Sequence, residues 1–136
     1  MNFTPLKSGT SVEGDEISAF RSEDKSSKYI YLMAGVHGDE VEGVYLLQEL
    51  FKWLQDEDLS LALVVIPILN VDGYRSGSRV NAHGVDLNRN LPSSNWTEEA
   101  REEKYHPGPE ALSEPENKYL VKLFEKFPPK LILTLH

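Results

Sequence analysis

The 136-residue sequence contains no cysteine, which excludes disulfides, thiolate nucleophiles and thiolate metal ligands. Any metal must therefore sit on imidazole nitrogen or carboxylate oxygen. Basic residues are also short: 14 Lys and Arg against 22 Asp and Glu leave a formal charge of −8, the opposite of the footprint that nucleic acid demands. No nucleic-acid partner is expected. No apolar run approaches the length of a membrane span, and Met1 to Gly9 shows no basic segment followed by an apolar stretch. The expectation is a cytoplasmic protein without a membrane partner, in which the sequons at Asn2 and Asn95 are chance matches. Internal repeats and low-complexity segments are absent too. What remains is 40% hydrophobic and 26% charged, ordinary for a folded chain, so wholesale disorder is excluded and residues 1–136 read as one domain.

Hydrophobic periodicity organises that domain. Glu16 to Phe20 alternates, meets the polar cluster Arg21 to Ser27 and leads into an apolar strand from Lys28 to Ala34, which suggests a hairpin. From Glu40, residues Val44, Leu47, Phe51 and Leu54 recur at helical spacing, with Leu46, Leu50 and Trp53 widening the stripe, so a buried helix ending near Glu57 is predicted. Leu61 to Ile68 is continuously apolar and β-branched, the pattern of a strand covered on both faces, and Pro67 weakens only its end. Asn70 to Trp96 lacks a period and reads as one long irregular connection. Thr97 to Lys104 is a charge-mixed solvated face. Ser113-Glu-Pro-Glu116 reads as a capping box opening a helix whose apolar face is Leu120, Leu123, Phe124 and Phe127. Pro128-Pro129 ends that helix, and Leu131 to Leu135 is a further strand. The fold class is α/β: an open mixed, mainly parallel sheet with helices on both faces.

In such a sheet, ligands gather outside the carboxyl ends of the strands. The run Ile30 to Ala34 stops at a small-residue turn and then delivers His37 and Glu40 three residues apart, which lets both side chains face one ion. Leu131 to Leu135 stops on His136. Two imidazoles and a carboxylate form the ligand set of a catalytic Zn2+ with one open position, so one zinc ion is the expected cofactor. Asn88-Arg89, inside Gly84-Val-Asp-Leu-Asn-Arg-Asn90, offers a planar guanidinium fork and an amide that match a carboxylate. Arg79 is a further cation suited to a developing oxyanion. Asp86, in the same Gly-rich loop, is open to reading as an Asx turn. His83 reads as a solvated loop residue, His106 as structural, and Trp96 and Tyr105 as loop packing.

His37-Gly-Asp-Glu40, Asn70-Val-Asp-Gly73, Arg79, Gly84 to Asn90 and the strand-final His136 together resemble the zinc carboxypeptidases of the M14 type, collinearly from Ile30 to His136. Within that family the resemblance is strongest to the branch that cleaves cell-wall peptides. It runs through Gly84 to Pro92 continuing into Asn95-Trp96, and through Ser113-Glu-Pro-Glu116. The resemblance implies that His37, Glu40 and His136 hold zinc and that Arg79 polarises the scissile carbonyl. It further implies that Asn88 and Arg89 receive a carboxylate on the departing residue and that Asp86 hydrogen-bonds the far nitrogen of His37. The implied substrate is a small peptide with a free carboxylate, cleaved between γ-D-glutamate and meso-diaminopimelate. The family's general base lies downstream of the last zinc ligand, so the chain as given is expected to lack it and to turn over negligibly. Asp39 and Asp86 are weak stand-ins. A final strand this apolar is expected to expose an unpaired edge and promote self-association. The alternatives are a broader carboxypeptidase, a deacylase of the succinylglutamate desuccinylase or aspartoacylase type, and a zinc-dependent peptide-binding module without chemistry.

Overall fold

A five-stranded mixed sheet forms the centre of the chain, whose computed structural model describes residues 1–91 and 106–136. The charge run from Thr97, together with Trp96 and Tyr105, lies outside the described residues. The strands are β1 (Phe3–Pro5), β4 (Phe20–Ser22), β5 (Tyr29–Ala34), β6 (Leu63–Ile66) and β7 (Pro129–Leu135), in the spatial order β1-β4-β6-β5-β7. β5 runs parallel to both neighbours, with Leu32 opposite Val65 on one side and Leu133 on the other. β1, β4 and β6 pair antiparallel. A small second sheet pairs β2 (Gly9–Thr10) with β3 (Glu16–Ile17). The α/β class and the mixed sheet are as expected.

The period-two alternation of β5 and β6 divides the core between the two faces of the sheet. Tyr31, Met33, Val64 and Ile66 face one layer with Leu120 and Leu123 of α3 (Pro115–Lys126). Leu32, Ala34, Leu63 and Val65 face the other, against Val44, Leu47 and Leu54 of α1 (Val41–Asp56). Both strands are therefore covered twice, which is why they read as unbroken apolar runs. Tyr31 is a buried polar exception. Its hydroxyl lies 3.0 Å from the Leu123 carbonyl and 2.7 Å from that of Phe127, satisfying the C-terminal end of α3, and burial pushes its pKa up.

Several expectations need correction. The predicted hairpin does not form: β4 pairs with β6, Phe20 opposite Val65, while β5 lies beyond β6. A strand buried on both faces gains more from two parallel neighbours that each carry a helix than from one short local partner. On α1, Leu46 and Trp53 lie on the exposed side rather than widening the buried stripe. The long connection after Asn70 begins as a short helix, α2 (Val71–Ser76), and contains a 3-10 turn at Leu87–Arg89. The capping box does not form. Glu114, not Ser113, is the N-cap of α3, and Glu116 is fully buried away from the cap. Pro115 at the start of α3, the strand before Pro67 and the apolar face of α3 are as expected.

Candidate metal centre

The carboxyl ends of the neighbouring strands β5 and β7 bring His37 and His136 together, with ring centroids 6.1 Å apart and planes inclined at 42°. Glu40, the N-cap of α1, lies between them. It contacts Nδ1 of His37 through one oxygen and Nδ1 of His136, at 3.3 Å, through the other. One ligand atom from each of the three residues fits within a mutual distance of 4.8 Å. Among the described residues, no other group of three or more His, Cys, Asp or Glu does so.

The approach of α1 to β7 depends on Gly43. A Cβ there would lie 2.7 Å from the Leu135 carbonyl oxygen, so a side chain would push the first turn of α1, and Glu40 with it, away from His136. The absence of a side chain at one helical position thus sets the spacing of ligands from two separate elements.

His37 is held on its far side as well. Its Nε2 lies 2.9 Å from Oδ1 of the fully buried Asp86, leaving Nδ1 to face Glu40. The same Oδ1 accepts the Asn88 backbone N–H at 3.0 Å, so Asp86 both caps the 3-10 turn and orients the imidazole. The Asx-turn role and the imidazole-orienting role implied by the resemblance coexist on one oxygen. Oδ2 receives Arg79 through Nε at 3.2 Å and Nη2 at 3.0 Å. Burial pushes the Asp86 carboxyl up, but His37 and Arg79 more than offset it and hold it below the usual carboxylate value. The Asp86 hydrogen bond raises the pKa of His37 in turn, against a smaller opposing effect of burial.

The remaining candidates are distributed around this centre. Asn88 and His136 line a cavity of about 130 Å3 whose walls include Val36, Leu69 and Leu120. Arg89 is exposed on the same 3-10 turn. Asp39 is exposed. His106 is structural as expected, accepting the Gly108 N–H at 2.9 Å on Nδ1 and the Asp86 N–H at 2.7 Å on its carbonyl. His83 is exposed but not merely solvated, since its Nδ1 meets Glu114 at 2.7 Å.

Sequence reasoning missed a buried polar scaffold beneath the site. Asn70 caps α2 by accepting the Gly73 N–H at 2.9 Å and reaches the Arg79 carbonyl at 3.3 Å. An Asn three residues before a Gly, just after a strand, is the signal that would have revealed it. Asn90 donates to the Pro107 and Glu110 carbonyls, at 3.0 Å each, and accepts from Asn117 at 3.2 Å. Asn81 joins Glu114 at 2.7 Å to Glu116 at 3.1 Å. Together these contacts tie the Asn81 to Asn90 segment to the start of α3.

Comparison with known proteins finds relatives in sequence and in fold. A family model for the succinylglutamate desuccinylase/aspartoacylase catalytic domain matches residues 26–114. The chain is 32% identical to murein peptide amidase A of Vibrio campbellii over 98% of its own length and 57% of that protein. The crystal structure of the murein-tripeptide amidase of Escherichia coli O157 superposes with a TM-score of 0.78 at 30% identity, covering 93% of this chain and 58% of that one. Carboxypeptidase A from Helicoverpa armigera shares the fold, with a TM-score of 0.75 at 23% identity over 97% of this chain and 40% of that one. The chain thus spans little more than half the length of the amidases it matches.

Proposed function

Because the chain belongs to the succinylglutamate desuccinylase/aspartoacylase catalytic-domain family, we propose that it supplies the metal site of a zinc-dependent hydrolase of murein-derived peptides. The bond cleaved would join γ-D-glutamate to meso-diaminopimelate, the substrate class suggested by the amidases it resembles. The observation that carries this reading is the convergence of His37, Glu40 and His136 within 4.8 Å.

Two imidazole nitrogens and one carboxylate oxygen suit a single Zn2+ with a position left open. Zinc held there supplies Lewis acidity toward a carbonyl and toward water. The rest of the task falls to the chain's own side chains. Asp86 fixes the ring of His37 so that Nδ1 presents to the ion. Arg79, anchored on that same carboxylate, is the cation assigned to the substrate's carbonyl oxygen. Asn88 and Arg89, from the 3-10 turn, receive the carboxylate of the departing residue, and Asn88 borders the cavity that reaches His136.

Of the two stand-ins for a general base, Asp39 is exposed at the turn before Glu40, and Asp86 is fully buried and already engaged. Asp86 is already shared by His37, Arg79 and the Asn88 N–H, and Glu40 is committed as a ligand. The described residues around the centre thus account for metal and carboxylate binding, and little turnover is expected of them alone. The exposed apolar row of β7 supports self-association of copies through that strand.

A deacylase acting on N-acyl amino acids is the second reading, favoured by the description of the matching family. Calorimetry should show one equivalent of Zn2+ bound, followed by a murein tripeptide whose binding weakens in Arg89→Ala. Failure to take up zinc would sink the reading outright. Preference for an N-acyl amino acid over the tripeptide would favour the deacylase, and efficient hydrolysis by this chain alone would refute the need for a base from elsewhere.

A further inference from the structure

We propose that the groove between β2 and α3 binds a small amphipathic carboxylate, at a site that shares no residue with the metal cluster. The groove has a volume of about 440 Å3, inside the range of roughly 300–1,000 Å3 usual for small-molecule sites. Its apolar lining comes from Leu6, Pro115, Tyr119, Leu123 and Phe127. Its polar border is of one sign: Lys7, Lys118, Lys122 and Lys126 all line it.

That border is unusual for this chain. Four of its 14 basic residues converge on one groove in a protein of net charge −8. Lys118, Lys122 and Lys126 recur every four residues, which stacks them along one face of α3. All four lysines are exposed, and none forms an ion pair among the described residues. Lys126 lies 5.6 Å from the centroid of the Phe127 ring, and the Arg21 guanidinium is equally close to that ring. Ser8, which also lines the groove, donates its hydroxyl to Glu16 at 2.8 Å.

The groove is also a built feature rather than a gap between loose side chains. The Tyr119 hydroxyl donates to the Lys7 carbonyl at 2.7 Å, tying α3 to the segment before β2. The Tyr119 ring packs so closely on the backbone of Gly9 that a Cβ there would land on the ring. An apolar floor beneath unpaired ammonium groups matches a ligand with an apolar body and one negative head. A medium-chain acyl carboxylate is the simplest such molecule, and a lysine border, made of hydrated point charges, suits a carboxylate head without demanding the bidentate geometry of arginine.

Octanoate is a suitable probe, titrated into the zinc-loaded chain and followed by amide chemical shifts. Saturable shifts should appear at Gly9, Lys122 and Leu123 and spare His37 and Glu40. Lys118→Gln combined with Lys122→Gln should weaken binding about tenfold, and neutral octanamide should bind the unaltered chain about tenfold more weakly than octanoate. Zinc affinity of the double variant should be unchanged, which separates failure here from failure of the metal site. Absence of shifts at the groove, equal affinity for octanoate and octanamide, or binding only to phosphatidylglycerol vesicles would each overturn the proposal.

Discussion

β5 and β7 are parallel neighbours that each lead into a histidine, His37 after the Gly35-Val36 turn and His136 directly after Leu135, yet the two ends are built differently. The His37 side chain is 6% exposed and is fixed from both sides, by Asp86 on Nε2 and Glu40 on Nδ1. The His136 side chain is 54% exposed, and among the described residues its ion-pair contact is with Glu40. The strands beneath them differ in the same way. Leu32 is 9% exposed, whereas its partner across the ladder, Leu133, is 46% exposed on the same face. One half of the candidate metal centre is thus ordered by burial and a hydrogen-bonded carboxylate before any ion arrives. The other half is held, among the described residues, by Glu40.

The largest test of that contrast removes each ligand in turn. His37→Ala and His136→Ala should each lower zinc affinity by about a thousandfold, since three protein donors are the minimum for this type of site. Only His37→Ala should also lower the melting temperature of the metal-free chain. It strips a partner from the buried Asp86 carboxylate and so costs about 2 kcal/mol, whereas His136→Ala leaves no buried group unpaired. Calorimetry with zinc and thermal melts without it measure the two effects separately, and equal melting temperatures for the two variants would dissolve the distinction.

The strands themselves offer the next test. Leu32→Ala should destabilise by about 3 kcal/mol because it opens a cavity against α1, while Leu133→Ala, at a half-exposed position, should cost less than about 1 kcal/mol by urea unfolding. Leu133→Lys should leave stability near that of the parent chain and reduce association in sedimentation velocity.

The smallest effect extends the contrast between tied and untied groups below the rim. Glu116 is fully buried, with one oxygen on Asn81 and the other without a partner among the described residues. Burial above all, then the charges of Glu114 and Asp72, hold its carboxyl above the usual range against the pull of its hydrogen bonds. A folded-state pKa raised above the unfolded value stabilises at low pH, and that contribution is lost as pH rises through the folded value. Glu116→Gln keeps an acceptor for Asn81 and removes the charge. It should therefore raise stability by about 1 kcal/mol at pH 8 and change it little at pH 4, as read by chemical denaturation at both.

Local pattern alone carried the elements that position the candidate metal cluster. β5, β6 and both long helices were legible because a doubly covered strand and a helix packed on one side leave unmistakable periods in Tyr29 to Ala34, Leu63 to Ile66 and Val44 to Leu54. His37, Glu40 and His136 were legible because strand ends point functional groups at a common rim. Tertiary structure decided the rest. Which strand β4 pairs with depends on partners more than forty residues away, and no local alternation encodes that choice. Whether Leu46 and Trp53 are covered depends on what lies across from α1, not on their spacing. The buried amides of Asn70, Asn81 and Asn90 carry no period at all, because each answers a single unsatisfied backbone or carboxylate group that exists only once the chain has closed around it.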